Sequence, residues 1–393
     1  MKEKFCRFVI GVSFYSFAVE FLRIKVAGLT VPITLVLLLM LALIVARSRR
    51  IDKQLAVFLV INVGFVSVII LSSIVNGSAS APLVILKYII CLGSAFVVYM
   101  VALSRKEKVV QDLESVVMWS SLPVALHSFY SYIVLGSPYL TGSLVMITEV
   151  GKNQVAAFVT VMAVLNLALA FRTNNKITRL MLLCSLLVYY IAILYSYSRS
   201  ALVSCVLASL LIFLLAKTKR NNKIAMLAGF IMLSAMLMPL AWNAMTYEMR
   251  ESFRKNMDSL VSMQDQGEST SISVRSEMIS VAYSRFSDAP VIGSGPNSFV
   301  EATSIASHNT YMQVLAEFGL AGMLFYLLAI LYALSRTFKS DPALAMVLLC
   351  LMMTLFFQNA MESVFVFVII GSLLACSRKI DVSNKRISEI YET

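Results

Sequence analysis

The sequence predicts an all-α integral membrane protein of about twelve transmembrane helices, with both termini cytoplasmic and one long outer segment carrying short helices. Three observations lead there. Of 393 residues, 59% are hydrophobic and only 14% charged, with a mean hydropathy of +0.84, whereas soluble domains carry about 25% charged residues. Apolar runs of roughly 17 to 25 residues recur along the chain, each long enough to cross a bilayer as a helix. The basic residues alternate from side to side between those runs.

The runs fall at about 5–24, 28–46, 55–75, 81–103, 113–135, 153–171, 177–196, 200–216, 224–242, 310–335, 343–360 and 362–377. Basic clusters lie at 2–7, 47–53, 105–108, 172–179, 217–223, 336–339 and 378–386. They follow every second connection, as the positive-inside rule requires of cytoplasmic loops. Short outer connections such as 76–82 and 358–363 carry none. Continuous hydrophobicity argues for a single polytopic membrane domain over 1–393, with an outer segment at 243–309 between spans nine and ten. The net charge of +12 resides in these clusters without aromatic interleaving, so it speaks for membrane orientation and against nucleic acid. Six cysteines without Cys-x-x-Cys spacing give neither a disulfide framework nor a zinc site.

The outer segment has its own pattern. Met245, Met249, Phe253, Met257 and Leu260 recur at helical spacing, which predicts an amphipathic helix on the membrane surface. A polar loop at 264–271 follows. A second short helix is expected over Val274–Phe286, with Ser273 as N-cap and Val274, Met278 and Val281 as its buried stripe. Pro290, Gly293, Gly295 and Pro296 then stop any helix.

His308 is one of two histidines in the chain and stands just ahead of the tenth span. It is a candidate general base, because an imidazole titrates near neutrality; a helix cap or interfacial anchor is the plainer role. His127, inside the fifth span, reads as a packing residue. Arg199 lies in the tight outer turn 195–200, where an uncharged turn would suffice. Lipid snorkelling is one explanation. The other is an anion site, because spans eight and ten both run from outside to inside and present their N-termini to the same face. Arg275 and Arg285 could close over such an anion, and a pyrophosphate suits that charge better than a carboxylate. Candidate supporting residues are Ser198, beside Arg199; Asn309, beside His308; Lys152, at the outer start of the sixth span; and Glu317, about two turns into the tenth. There are no paired carboxylates, no metal-ligand cluster and no nucleotide loop in the sequence, so no metal or cofactor is expected.

Two motifs resemble the O-antigen ligase-like family, the polymerases and ligases of bacterial surface polysaccharides. One is Tyr-Ser-Arg-Ser-Ala at 197–201. The other is the run Arg275, then Ala-Pro-Val-Ile-Gly-Ser-Gly-Pro-Asn-Ser-Phe at 289–299, His-Asn-Thr-Tyr at 308–311 and Glu-Phe-Gly-Leu-Ala-Gly at 317–322. The resemblance covers about 170–335, with a long outer loop between the motifs. It implies a donor glycan on a polyprenyl pyrophosphate at the periplasmic face of the inner membrane. Arg199 and Arg275 would hold the pyrophosphate, and His308 would activate the acceptor hydroxyl for inverting attack. Neither nucleotide sugar nor metal would be required, and membrane lipid and a chain-length regulator are the further partners implied. One position departs from the family: Ile279 stands where a Trp is common, which leaves Arg285 as the substitute for Arg275.

The expected activity is therefore polymerisation of lipid-linked repeat units, with transfer of the glycan to lipid A core as the alternative. A flippase is the alternative of another class. It should spread its charges through a central cavity, whereas here the polar candidates gather at one face.

Overall fold

The computed structural model describes residues 23–26, 29–32, 52–104, 152–196, 198–218, 271–303, 307–358 and 363–391, with scattered positions at 122, 125–126, 361 and between 223 and 254. Ten helices are defined over these residues. They are α1 (Lys53–Asn76), α2 (Ala81–Ser104), α3 (Lys152–Arg172), α4 (Lys176–Tyr195), α5 (Arg199–Leu215), α6 (Ser271–Asp288), α7 (Ser298–Thr303), α8 (Thr310–Ser340), α9 (Pro342–Leu355) and α10 (Val364–Tyr391). Helices α1, α2, α4 and α8 contain apolar stretches long enough to cross a membrane, and α3, α5, α9 and α10 hold shorter ones. Each of these eight coincides with an apolar run of the sequence. The expected spans at 5–24, 28–46 and 113–135 lie almost wholly outside the described residues, and only scattered positions of 224–242 are described.

Two expectations need correction. Residues Arg23–Val26 (β1) and Leu29–Pro32 (β2) pair as an antiparallel hairpin, Val26 opposite Leu29, where the ends of two spans were expected. The β-branched residues Ile24, Val26, Thr30 and Val31 suit strands, and the register leaves only two residues for the connection. The second short outer helix begins at Ser271, so Ser273 belongs to its first turn and is not its N-cap.

The chain divides into two compact units, residues 1–43, 105–266 and 341–350, and residues 44–104, 267–340 and 351–393. In the first, α3 packs on α4 and α5. Its apolar stripe of Phe158, Met162, Leu165 and Leu169 is buried. Two polar ties cross its apolar interior: Asn166 Nδ2 donates to Ser185 Oγ at 2.7 Å, and Tyr190 and Ser209 share a hydrogen bond of 2.6 Å. Arg172, ending α3, forms an ion pair with Asp341.

In the second unit α10 packs on α2, and α8 on α1. Phe65 of α1 stacks against Tyr88, Phe318 and Tyr326, with centroids 4.9 to 5.8 Å apart. Asp52 caps α1 through Leu55 N–H at 2.9 Å, and its other oxygen receives Tyr99 at 2.6 Å and Arg378 at 2.7 Å. At 1.5 Å per residue the 24 residues of α1 separate that cluster from Asn76 by about 36 Å, close to the thickness of a bilayer.

Candidate functional site

Helix α8 is broken inside its first half. Gly319 has φ 63° and ψ −160°, a conformation open in practice to glycine alone. Such a break strands backbone groups that a membrane interior cannot hydrate. The Pro- and Gly-rich turn before α7 supplies the missing partners. Pro290 and Val291 carbonyls accept the N–H groups of Leu320 and Ala321 at 2.9 and 3.0 Å. In return the N–H groups of Ser294 and Gly295 donate to the Ala316 and Glu317 carbonyls at 2.9 and 3.1 Å. The fit is close enough that a Cβ on Gly293 would overlap the Glu317 carbonyl.

The end of α1 completes this junction. Ser72 Oγ donates to the Glu317 carbonyl at 3.0 Å, and Asn76 Nδ2 to the Gly293 carbonyl at 3.1 Å. The Ser78 and Ser80 hydroxyls both donate to the Pro296 carbonyl. Helix α6 lies on α8 through a small core of Met278, Ala282, Phe299 and Ala316, flanked by Val281 and Met312. Met278 and Val281 thus serve as the sequence stripe anticipates.

The start of α8 is held from three sides. Asn309 caps it by accepting the Met312 N–H at 3.1 Å. Thr310 donates both its N–H and its hydroxyl to the Gln358 carbonyl, at 3.1 and 2.6 Å. Tyr311 donates to the Met352 carbonyl at 3.0 Å and packs its ring on Phe356 at 4.5 Å. Asn309, rather than His308, is therefore the cap. His308 is exposed and adopts φ 52°, a left-handed backbone that His tolerates better than most residues. It opens on a cavity of about 390 Å³ lined by Ile279, Ser307, His308, Asn309, Met353, Phe356 and Phe357. An apolar wall with a few convergent polar groups is the usual make-up of a ligand site.

A buried polar chain runs inward from this mouth. Ser307 Oγ is 3.2 Å from Gln313 Oε1, and Gln313 Nε2 donates to Glu317 Oε1 at 3.0 Å. The second unit thus links His308, Asn309 and Glu317 in one constellation. Arg285 is half-buried on α6, where its carbonyl accepts from Ser294 Oγ at 3.0 Å. Arg275 lies in the first turns of α6 and Lys152 opens α3; their side chains, like that of Arg199, are outside the described residues. In the first unit α5 begins at Arg199, with Ser198 at its N-cap position, buried and 3.2 Å from Ser200 Oγ.

The matched family covers this constellation. Residues 180–327 match a protein-family model described as O-antigen ligase. Over this stretch the chain is similar to that family. The matched segment runs from within α4, past the start of α5 at Arg199 and residues 243–309, to just beyond the break in α8. No curated protein matches the chain. Gln313, absent from the candidates drawn from sequence, is the residue the geometry adds. Its signal was the i, i+4 spacing to Asn309 and Glu317 along one helix face.

Proposed function

We propose that this multi-pass membrane protein is a glycosyltransferase of a bacterial inner membrane. It polymerises polyprenyl-pyrophosphate-linked oligosaccharide repeat units at the periplasmic face. The acceptor is a second lipid-linked glycan. The observation that carries the reading is His308, which lies within the segment similar to O-antigen ligases and is exposed at the mouth of a mainly apolar cavity.

His308 takes the proton from the acceptor hydroxyl as its oxygen attacks the anomeric carbon from the side opposite the leaving group. The bond from that carbon to the pyrophosphate oxygen breaks, and its electron pair leaves on the polyprenyl pyrophosphate. The anomeric centre inverts. Arg199, with Arg275 or Arg285, binds the pyrophosphate charge, while Ser198 and Lys152 are supporting groups on the first unit. Asn309 anchors the helix start, and the segment 243–309 faces the periplasm. A chain-length regulator is a further proposed partner.

Transfer of the glycan to lipid A core is the second reading, favoured by the description of the matched family. Deleting the gene and running a lipopolysaccharide gel separates the two. Core bearing a single repeat marks a polymerase; naked core, with polymer held on the lipid carrier, marks a ligase. Normal polymer on normal core would remove both.

A further inference from the structure

The proposed chemistry gives His308 a task but says nothing of what fixes its geometry. The answer lies in the turn around it. Ser307 Oγ accepts the Asn309 N–H at 3.2 Å and donates to the Asn309 carbonyl at 2.8 Å, closing a small loop over residues 307–309. His308 is the middle residue of that loop, with its left-handed φ of 52°. The same hydroxyl hydrogen has a second acceptor in reach, Gln313 Oε1 at 3.2 Å, and is shared between the two, while Gln313 Nε2 donates to Glu317 Oε1 at 3.0 Å. Ser307, Gln313 and Glu317 are 3%, 6% and 1% exposed, so water does not compete for these bonds.

The donor and acceptor pattern gives the chain a direction. A carboxylate only accepts, whereas an amide has a donating and an accepting end. Glu317 therefore receives the Nε2 end of Gln313 and leaves Oε1 turned to Ser307. With an amide at 317 either orientation would serve, and the direction would be lost.

We propose that Gln313 and Glu317 are positioning residues for His308. The Glu317 carboxylate sets the way the Gln313 amide faces, and that amide, through Ser307, holds the 307–309 turn that presents the imidazole to the cavity. The proposal rests on the reading of His308 as the base. Neither side chain touches the reacting atoms, so their effect belongs in kcat and not in substrate binding.

The test uses the full chain reconstituted in lipid vesicles with a polyprenyl-pyrophosphate-linked repeat unit as substrate. Assayed toward alkaline pH, so that the buried pair cannot stay half-protonated, the Gln313→Glu variant sets two carboxylates against each other and should lower kcat roughly 10- to 100-fold, the scale of a displaced catalytic group. KM should stay within about twofold, since uniform binding is untouched. Adding Glu317→Gln should restore kcat. In the double variant the new carboxylate at 313 accepts from the new amide at 317 and shares the Ser307 hydroxyl hydrogen with the Asn309 carbonyl, as Gln313 Oε1 does in the native chain. Diethyl pyrocarbonate labelling of His308, followed by peptide mass spectrometry, should change rate in Gln313→Glu and return in the double variant.

An unchanged kcat and labelling rate in Gln313→Glu would overturn the proposal, as would a double variant no better than the single. If His308→Ala stays active, the reading of His308 as base fails. The labelling rates still decide whether Gln313 and Glu317 set its position.

Discussion

At Gly319 the backbone stands at φ 63° and ψ −160°, and the Val291 carbonyl occupies the space a Cβ would need. Gly319→Ala should therefore destabilise the protein by about 1–3 kcal/mol from the backbone conformation alone, with the overlap adding to it. Thermal unfolding in detergent checks this, and an unchanged midpoint would refute the strain argument. His308 invites a second prediction at the same scale. His308→Ala should abolish polymer while the amount of protein in the membrane stays unchanged, as read on a lipopolysaccharide gel and an immunoblot. The residue itself was legible in the sequence, because a rare imidazole beside Asn309 at a helix start is conspicuous. Of its buried neighbours, Glu317 was a candidate too, whereas Ser307 and Gln313 were not singled out. Gln313 in an apolar helix looks like any polar interruption until Ser307 and Glu317 are seen on either side of it.

Helix boundaries were the easiest part of the chain to read. The apolar run expected over 177–196 became α4 at Lys176–Tyr195, and α5 begins at Arg199, inside the turn expected at 195–200. Bilayer thickness fixes the length of such a run, so hydropathy alone finds it. The break in α8 was illegible, because glycine in a hydrophobic run gives no sign of a conformation imposed from outside. Its cause lies upstream, in the turn whose Pro290 and Val291 carbonyls take over two helix bonds. Sequence reasoning recognised that turn as a helix stop and could not see that its backbone repairs another helix. Two substitutions probe these elements. Ser72→Ala removes one donor to the Glu317 carbonyl, and Asn309→Ala removes the α8 cap. We expect losses of about 0.5–1.5 kcal/mol for the first and about 1 kcal/mol for the second. Chemical denaturation of the detergent-solubilised protein would measure both, and no shift in either midpoint would count against the bonding described.

Across the whole molecule, the positive-inside pattern predicts that residue 308 faces the periplasm. A cysteine substituted at 308 should react with a membrane-impermeant maleimide added outside spheroplasts and stay unreactive from the cytoplasmic side. Labelling from the cytoplasm would sink the proposed orientation. Arg199→Ala should likewise abolish polymer at unchanged protein level, and persistence of full-length polymer would remove Arg199 from the site.

The bonds between residues 290–295 and the halves of α8 also bear on how the protein is made. The turn is synthesised before the helix it repairs, so its backbone groups are available when α8 enters the lipid. Any side chain at 293 that kept the turn away would leave an alternative at hand: an unbroken rod, with Leu320 and Ala321 bonded to the carbonyls of Ala316 and Glu317 in the ordinary way. A bulky residue there would trap a well-inserted, straight-helix isomer rather than a degraded one, and an inactive protein of normal abundance would be its signature.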